Sequence, residues 1–336
     1  MSIELLISLV KANIVLAVLL TNTILLIWFE RKVVAGMQSR VGPDRAMYLL
    51  APLIALVPSF LIFMIIPLGP DITIEWQNAL YTIPLVGADL NVGVLYFLAL
   101  SSIAVYSVVL AGWSSGSKYP LLGGVRASAQ MISYEAAMGL ALVPVILYSG
   151  SLSLVDIVNS QSGNLSSSIP ILNTIVSFIP KWNIFPQFVA FGIFFIAAVA
   201  EVNRAPFDLV EAEQELVGGF HTEYSGFRFA MFFLAEYINM FNMCAITATF
   251  FLGGWLGPTF EGILPPIFSV IMPIIWLGVK TFLLLFVFVW IRATLPRLRY
   301  DQLMELGWKR MIPISLVWLI LSAIVLGLRE FGLPWS

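Results

Sequence analysis

Long apolar stretches, each bounded by charged or turn-forming residues, recur from one end of the chain to the other. They cover residues 5–29, 47–67, 92–113, 125–148, 185–200, 227–254, 272–292 and 312–331. A helix crosses a bilayer core with about 20 mostly apolar residues, and the pattern predicts an all-α polytopic membrane protein. Its expected form is a bundle of about eight transmembrane helices making one transmembrane domain over residues 1–336. The functional loops fall at 30–46, 113–125, 201–226 and 292–311. Pro186, Pro273 and Pro313 lie near predicted helix starts, where a missing N–H does no harm. Pro52, Pro58 and Pro144 lie inside spans and kink them unless neighbours compensate.

The basic residues orient this bundle. Thirteen of the 17 Lys and Arg fall in, or within two residues of, the connections after spans 1, 3, 5 and 7, which the positive-inside rule places on the cytoplasmic or matrix side. Ten of the 19 acids lie in the same connections, so this face is charge-rich rather than simply basic, as a docking or ligand face would be. The opposite connections are bland: residues 68–91 hold no Lys or Arg, and 149–183 are Ser-rich.

Three ionisable residues lie deep within the spans in a shared depth band measured from the charged face. Glu135 and Glu236 follow Arg126 and Arg228 by nine and eight residues, which at 1.5 Å per residue puts each roughly 12 to 14 Å inside the charged face. Lys280 precedes Arg292 by 12 residues, a depth of about 18 Å. An unpaired charge there costs at least ~2.5 to 3.5 kcal/mol, so the three should face one another or a wet cavity. They form either a proton or ion path or a structural Glu–Lys pair locking the bundle. Tyr134 and Asn239 stand where they can hydrogen-bond the two carboxylates or simply pack.

The stretch EVNRAPFDLVEAEQELVGGF, residues 201–220, concentrates acids: Glu201, Asp208, Glu211, Glu213 and Glu215. If 207–216 are helical, Asp208, Glu211 and Glu215 lie within about 60° of one face, with Glu213 pointing away. Such a row repels itself and can hold protons when desolvated. Pro206 and Gly218–Gly219 mark boundaries of that segment, and Arg204 is its nearby base. The alternative is a solvated acidic loop that binds cations or a basic partner.

Composition narrows the chemistry. The chain of 336 residues is 60% hydrophobic and 11% charged, against roughly 25% charged for soluble domains. One Cys (Cys244) and one His (His221) preclude an internal disulfide, a bis-histidine haem or a four-cysteine iron–sulfur cluster, and leave zinc sites short of ligands. No metal site and no nucleic-acid partner are expected, and any electron carrier must sit on a partner or diffuse in. Glu4 and the length of the first apolar run argue for a spanning helix rather than a cleaved signal.

Four strings, in order, carry a resemblance: ERKVVAGMQSRVGP (30–43), GWSSGSKYPLLGGVRASAQMISYE (112–135), AEVNRAPFDLVEAEQELVGGFHTEYSGFRFAMFFLAEY (200–237) and WIRATLPRLRYDQLMELGWK (290–309). They resemble subunit 1 of NADH:ubiquinone oxidoreductase, respiratory complex I, over the whole chain, and the 112–120 string looks more mitochondrial than bacterial. One departure is that Gly42–Pro43–Asp44–Arg45 runs almost directly into AMYLLAPLIALV, where the family has a longer Gly-rich, amphipathic stretch.

The resemblance implies eight core helices, a ubiquinone entrance and chamber wall, and a chain of acids leading from the chamber into the membrane. Carried over, Asp208, Glu211, Glu213, Glu215 and Glu201 form the chamber end of a proton path, with Arg204 as counter-charge. Glu135 with Tyr134, Glu236 and Lys280 continue it. Arg31, Gln38, Arg40, Phe227, Arg292, Arg297 and Arg299 match positions near the quinone. The resemblance further implies that FMN and iron–sulfur clusters sit on partner subunits, with none bound here and ubiquinone as substrate. The hydrophilic arm would dock on the charged face and small membrane-arm subunits and lipids alongside, in the mitochondrial inner membrane or, alternatively, a bacterial plasma membrane. The rival reading is a stand-alone secondary transporter or ion channel using the same intramembrane acids.

Overall fold

A computed structural model describes residues 47–76, 79–163, 180–208, 218–258 and 267–331. Its main helices are α1 (Met47–Met64), α2 (Gly93–Ser114), α3 (Lys118–Ser149), the short α4 (Leu154–Ser160), α5 (Phe188–Glu201), α6 (Phe227–Phe251) and α7 (Ile267–Thr294). After these come α8 (Tyr300–Glu305), a π-helical turn (Leu306–Met311) and α9 (Ile312–Phe331). Among the described residues six helices are long and apolar enough to cross a membrane, and α5 is a shorter apolar helix. Helix is what such sequences must form in lipid, because each backbone N–H then finds its carbonyl within the same segment. The first predicted span, 5–29, and the loop at 30–46 lie outside the described residues.

The helices and the predicted segments differ at their ends. The expected loop 113–125 shrinks to residues 115–117, because α3 already starts at Lys118 with Pro120 in its first turn, where a missing N–H is tolerated. Most of the expected loop 292–311 is helical, with α8, the π turn and α9 running on as one rod. Pro273, expected near a helix start, lies inside α7, which begins at Ile267. The connection after α1 also carries structure: β1 (Ile72–Trp76) pairs antiparallel with β2 (Ala79–Ile83), Thr73 opposite Thr82. The ITIEW and ALYTI strings are rich in the β-branched and aromatic residues that favour strands.

The chain divides into two compact units. Unit 1 holds, of the described residues, 47–57, 104–128 and 218–235; unit 2 holds 58–76, 79–103, 129–163, 180–208, 236–258 and 267–331. In unit 1 the stacked rings of Tyr48 and Tyr224, with centroids 4.3 Å apart, form the centre, and the fully buried Arg228 lies over Tyr48 at 4.9 Å. Gly123 meets the backbone of Gly219 so closely that a Cβ there would lie 2.7 Å from it, so this crossing excludes any larger residue. The core of unit 2 is aliphatic and aromatic, with Phe194, Phe250 and Phe251 buried against one another where α5 packs on α6.

The end of α6 shows how a helix terminus is satisfied away from water. The last four carbonyls of a helix have no partner within it. Here Leu252 and Gly254 donate N–H groups to the Ala248 carbonyl, Gln161 Nε2 donates to Thr249, Asn183 Nδ2 to Phe250, and the Ile184 N–H to Phe251. Gly253 and Gly254, with φ of +72° and +49°, turn the chain back in the left-handed region that glycine enters without strain. Lys280 of α7 then takes up the carbonyls of this turn: its Nζ donates to Leu252 at 2.6 Å, to Gly254 at 2.9 Å and to Leu256. The indole of Trp182 lies 4.4 Å beneath the ammonium. All three Lys donors are thus used, and a positive charge sits at the negative end of the helix dipole.

Candidate functional site: a buried cluster of acids and hydroxyls

Unit 2 gathers the described candidate acids. Ser101 and Ser102 are consecutive on α2. Ser101 is buried and donates its hydroxyl to Glu201 Oε1 at 2.7 Å. Ser102, half-buried, meets Glu135 Oε1 of α3 and also lies 3.0 Å from the Leu98 carbonyl one turn back. Consecutive Cα atoms are about 3.8 Å apart, so one residue step of α2 receives a carboxyl group from α3 and another from the end of α5. Glu201 is 1% exposed, and its Oε2 has no hydrogen-bond partner among the described residues. Buried carboxyl oxygens need such partners or a proton of their own.

A second acid site lies where α5 ends. The chain turns after Glu201, with Asn203 at φ +54°, and brings Arg204 against α6: Nε stands 2.6 Å from Glu236 Oε1, and the guanidinium lies 4.7 Å from the Tyr237 ring centre. Arg204 is 7% exposed and Glu236 half-buried, so water weakens this ion pair only in part. Asp208, also buried, accepts from Arg297 Nη2 at 3.1 Å.

The turn itself is pinned from α3. Gln130 Nε2 donates to the carbonyls of Ala200 at 2.9 Å and Phe207 at 2.8 Å. Tyr134, fully buried, packs on the Phe207 ring and donates its hydroxyl to the Leu303 carbonyl at 2.9 Å. That bond answers the expectation for Tyr134: it ties α3 to α8 rather than to Glu135.

The other candidates fall as follows. Among the described residues Arg204 pairs with Glu236. Lys280 contacts carbonyls and Trp182, and its described partners include neither Glu135 nor Glu236. Arg292 and Arg299 are exposed, and Arg297 engages Asp208. Phe227 opens α6 in unit 1, half-buried. Glu211, Glu213, Glu215, Arg31, Gln38 and Arg40 lie outside the described residues. Sequence reasoning missed Ser101, Ser102 and Gln130; two adjacent hydroxyls inside an apolar span, and an amide five residues before Glu135, were the available signals.

Unit 1 contributes a separate feature, His221. Its ring lies among Phe220, Phe229, Phe232 and Phe233, with centroids 3.9 to 6.1 Å away, and its Nδ1 is buried without a described partner. Enclosure by these rings pushes the imidazole down to about 3, so it is neutral near pH 7.

Apolar helices that carry paired acids, hydroxyls and a carbonyl-bound lysine define a class: a multi-pass membrane protein with a largely buried polar cluster among its helices. Comparison with known proteins then makes the assignment particular. The NADH dehydrogenase family matches residues 44–323. A second H-type subunit of NADH-quinone oxidoreductase from Syntrophobacter fumaroxidans is 47% identical, over 93% of this chain and 93% of its own. The H-type subunit of Frankia casuarinae is 47% identical over 94% and 72%, and that of Ralstonia nicotianae 44% over 94% and 91%. The chain belongs to this family, the H-type membrane subunits of NADH-quinone oxidoreductase, counterparts of subunit 1 of complex I.

Proposed function

We propose that this chain is the core H-type membrane subunit of a proton-pumping NADH:quinone oxidoreductase, working inside a larger assembly whose other subunits carry the flavin and iron–sulfur centres. Ubiquinone is the substrate reduced at the assembled enzyme, and this chain lines its entrance and chamber wall. Arg297, Arg299, Arg292 and Phe227, with Arg31, Gln38 and Arg40, are the side chains proposed to meet the quinone. Asp208 with Glu211, Glu213 and Glu215 form the chamber end of an acid series, and Glu201, Glu135 and Glu236 continue it.

The observation that carries this reading is the seating of Glu135 and Glu201 on neighbouring hydroxyls of one helix, in the unit that also holds the Arg204–Glu236 and Arg297–Asp208 pairs. A change of charge at Asp208 has a short succession of polarisable groups through which to act: acids, hydroxyls and two guanidinium groups. Lys280 enters as the positive end-cap of α6, which supports its holding the helix that carries Glu236 more than its passing a proton. Relatives from bacteria support a bacterial plasma membrane over the mitochondrial inner membrane that the sequence favoured.

The test is substitution in the assembled enzyme. Glu135→Gln and Glu236→Gln, alone and together, should leave assembly intact on a native gel while lowering NADH:quinone turnover and proton pumping at least tenfold. An assembled double variant with wild-type turnover and pumping removes the proton route. Migration of the wild-type chain as a free monomer that transports ions in liposomes would instead establish the transporter alternative.

A further inference from the structure

Ser102 has two acceptors and one hydrogen. Its Oγ lies 3.0 Å from the Leu98 carbonyl and in direct contact with Glu135 Oε1. A carbonyl only accepts, and an ionised carboxylate only accepts, so the single hydroxyl hydrogen satisfies one of them at a time. Both contacts are hydrogen bonds together only when the carboxyl carries the extra hydrogen: Glu135 Oε1–H then donates to Ser102 Oγ, and Ser102 donates to Leu98. When Glu135 is ionised, the Ser102 hydroxyl turns and donates to Oε1 instead.

Ser101, by contrast, has one described acceptor, Glu201 Oε1, and stays on it. The Leu98 carbonyl loses little when the hydroxyl leaves, because it lies in the interior of α2 and keeps its backbone bond within the helix.

From this geometry we infer that Ser102 is a positioning residue whose hydroxyl turns between Leu98 and Glu135 with the proton of Glu135, while Ser101 holds Glu201 in a fixed orientation beside it. The inference rests on the proposed role of Glu135. The proton count closes within the pair: the two states differ by one proton, gained and lost at Glu135 Oε1, and Ser102 keeps its own hydrogen in both. The described groups around Glu135 are Ser102, which it contacts, and Glu201, seated on the neighbouring Ser101 at the end of α5. Loss of the proton at Glu135 therefore reorients a dipole next to Glu201 without moving any heavy atom, and the two acids respond to each other through α2.

Redox-induced infrared difference spectra of the assembled enzyme test this, with NADH and a water-soluble quinone as reactants. The carboxyl C=O band that Glu135→Gln removes belongs to Glu135. Ser102→Ala is expected to move that band to higher frequency and to lower turnover several-fold, and Ser102→Thr, which restores the hydroxyl, returns both. Should Ser102→Ala fail to assemble, Ser102→Cys, whose thiol is a weak donor, should move the band in the same direction.

A band that stays in place in Ser102→Ala or Ser102→Cys overturns the inference, even if Glu135→Gln abolishes pumping and so leaves the proton route standing. A band that moves as expected while Glu135→Gln pumps normally keeps the rotating hydroxyl and removes the proton route. If Glu135→Gln removes no band at all, Glu135 does not change protonation, and the inference falls.

Discussion

Replacing Lys280 by Met removes an ammonium that binds three carbonyls of the turn after α6, those of Leu252, Gly254 and Leu256. Met matches the length of the side chain but donates nothing. Each carbonyl left unpaired in a buried site costs about 1–3 kcal/mol, so all three together reach roughly 3–9 kcal/mol before the turn relaxes. The variant also regains the several kcal/mol that burying an ammonium costs, which brings the net loss to about 2–4 kcal/mol.

The loss should be local, because α6 upstream keeps the partners that Gln161, Asn183 and Ile184 give its last carbonyls. Hydrogen exchange in the assembled enzyme reads it directly: amides of 252–256 should exchange about 30-fold or more faster in Lys280→Met, and thermal inactivation should set in at lower temperature. Lys280→Arg keeps the charge but places its donors in a planar fork that cannot converge on three carbonyls, so it should fall between the two. Wild-type exchange over 252–256 together with wild-type heat resistance in Lys280→Met would refute the clamp. Loss of pumping in Lys280→Arg with wild-type exchange would instead return Lys280 to the proton path.

Other consequences are as concrete. His221 is neutral in the fold, with its imidazole at about 3 instead of 6.5; the unfolded chain alone takes up a proton below about pH 6.5, so stability is full above that and falls by up to about 1.4 kcal/mol per pH unit toward pH 3. His221→Phe should flatten this part of a pH series of thermal unfolding, and equal slopes for both proteins would refute the burial argument. Arg204→Met breaks the ion pair with Glu236 and should cost about 2–4 kcal/mol, between the values for exposed and buried pairs; a double-mutant cycle with Glu236→Leu isolates the coupling, and a coupling near zero would show that the pair contributes nothing. Gln130→Met leaves the Ala200 and Phe207 carbonyls without their side-chain donor and should cost about 2–4 kcal/mol, read as faster exchange in residues 202–208.

Much of the fold was legible because the signal is local. A run of some 20 apolar residues has one way to satisfy its backbone in lipid, whatever else the chain does, and helices α1 to α3, α5 to α7 and α9 lie within a few residues of the predicted segments. The hairpin at 72–83 went unread because a connection's strands are short and depend on pairing with each other. The start of α3 was placed too late, and the helical turns just before α9 went unread, because charged residues such as Lys118 and Lys309 read as loop, while a helix continues through charges that can reach the surface.

The sequence alone determined that this is a multi-pass membrane protein of the complex I family, short of metal and haem ligands, with a few ionisable residues inside its spans. It could not determine whom those residues meet. Arg204 sits three residues past Glu201 yet pairs with Glu236, and among the described residues Lys280 serves the carbonyls of another helix's end. Hydrophobic burial follows from each segment's own composition, whereas a hydrogen bond needs two particular atoms within about 3 Å. Only the packing of α2, α3 and α5 could place Ser101 and Ser102 against Glu201 and Glu135.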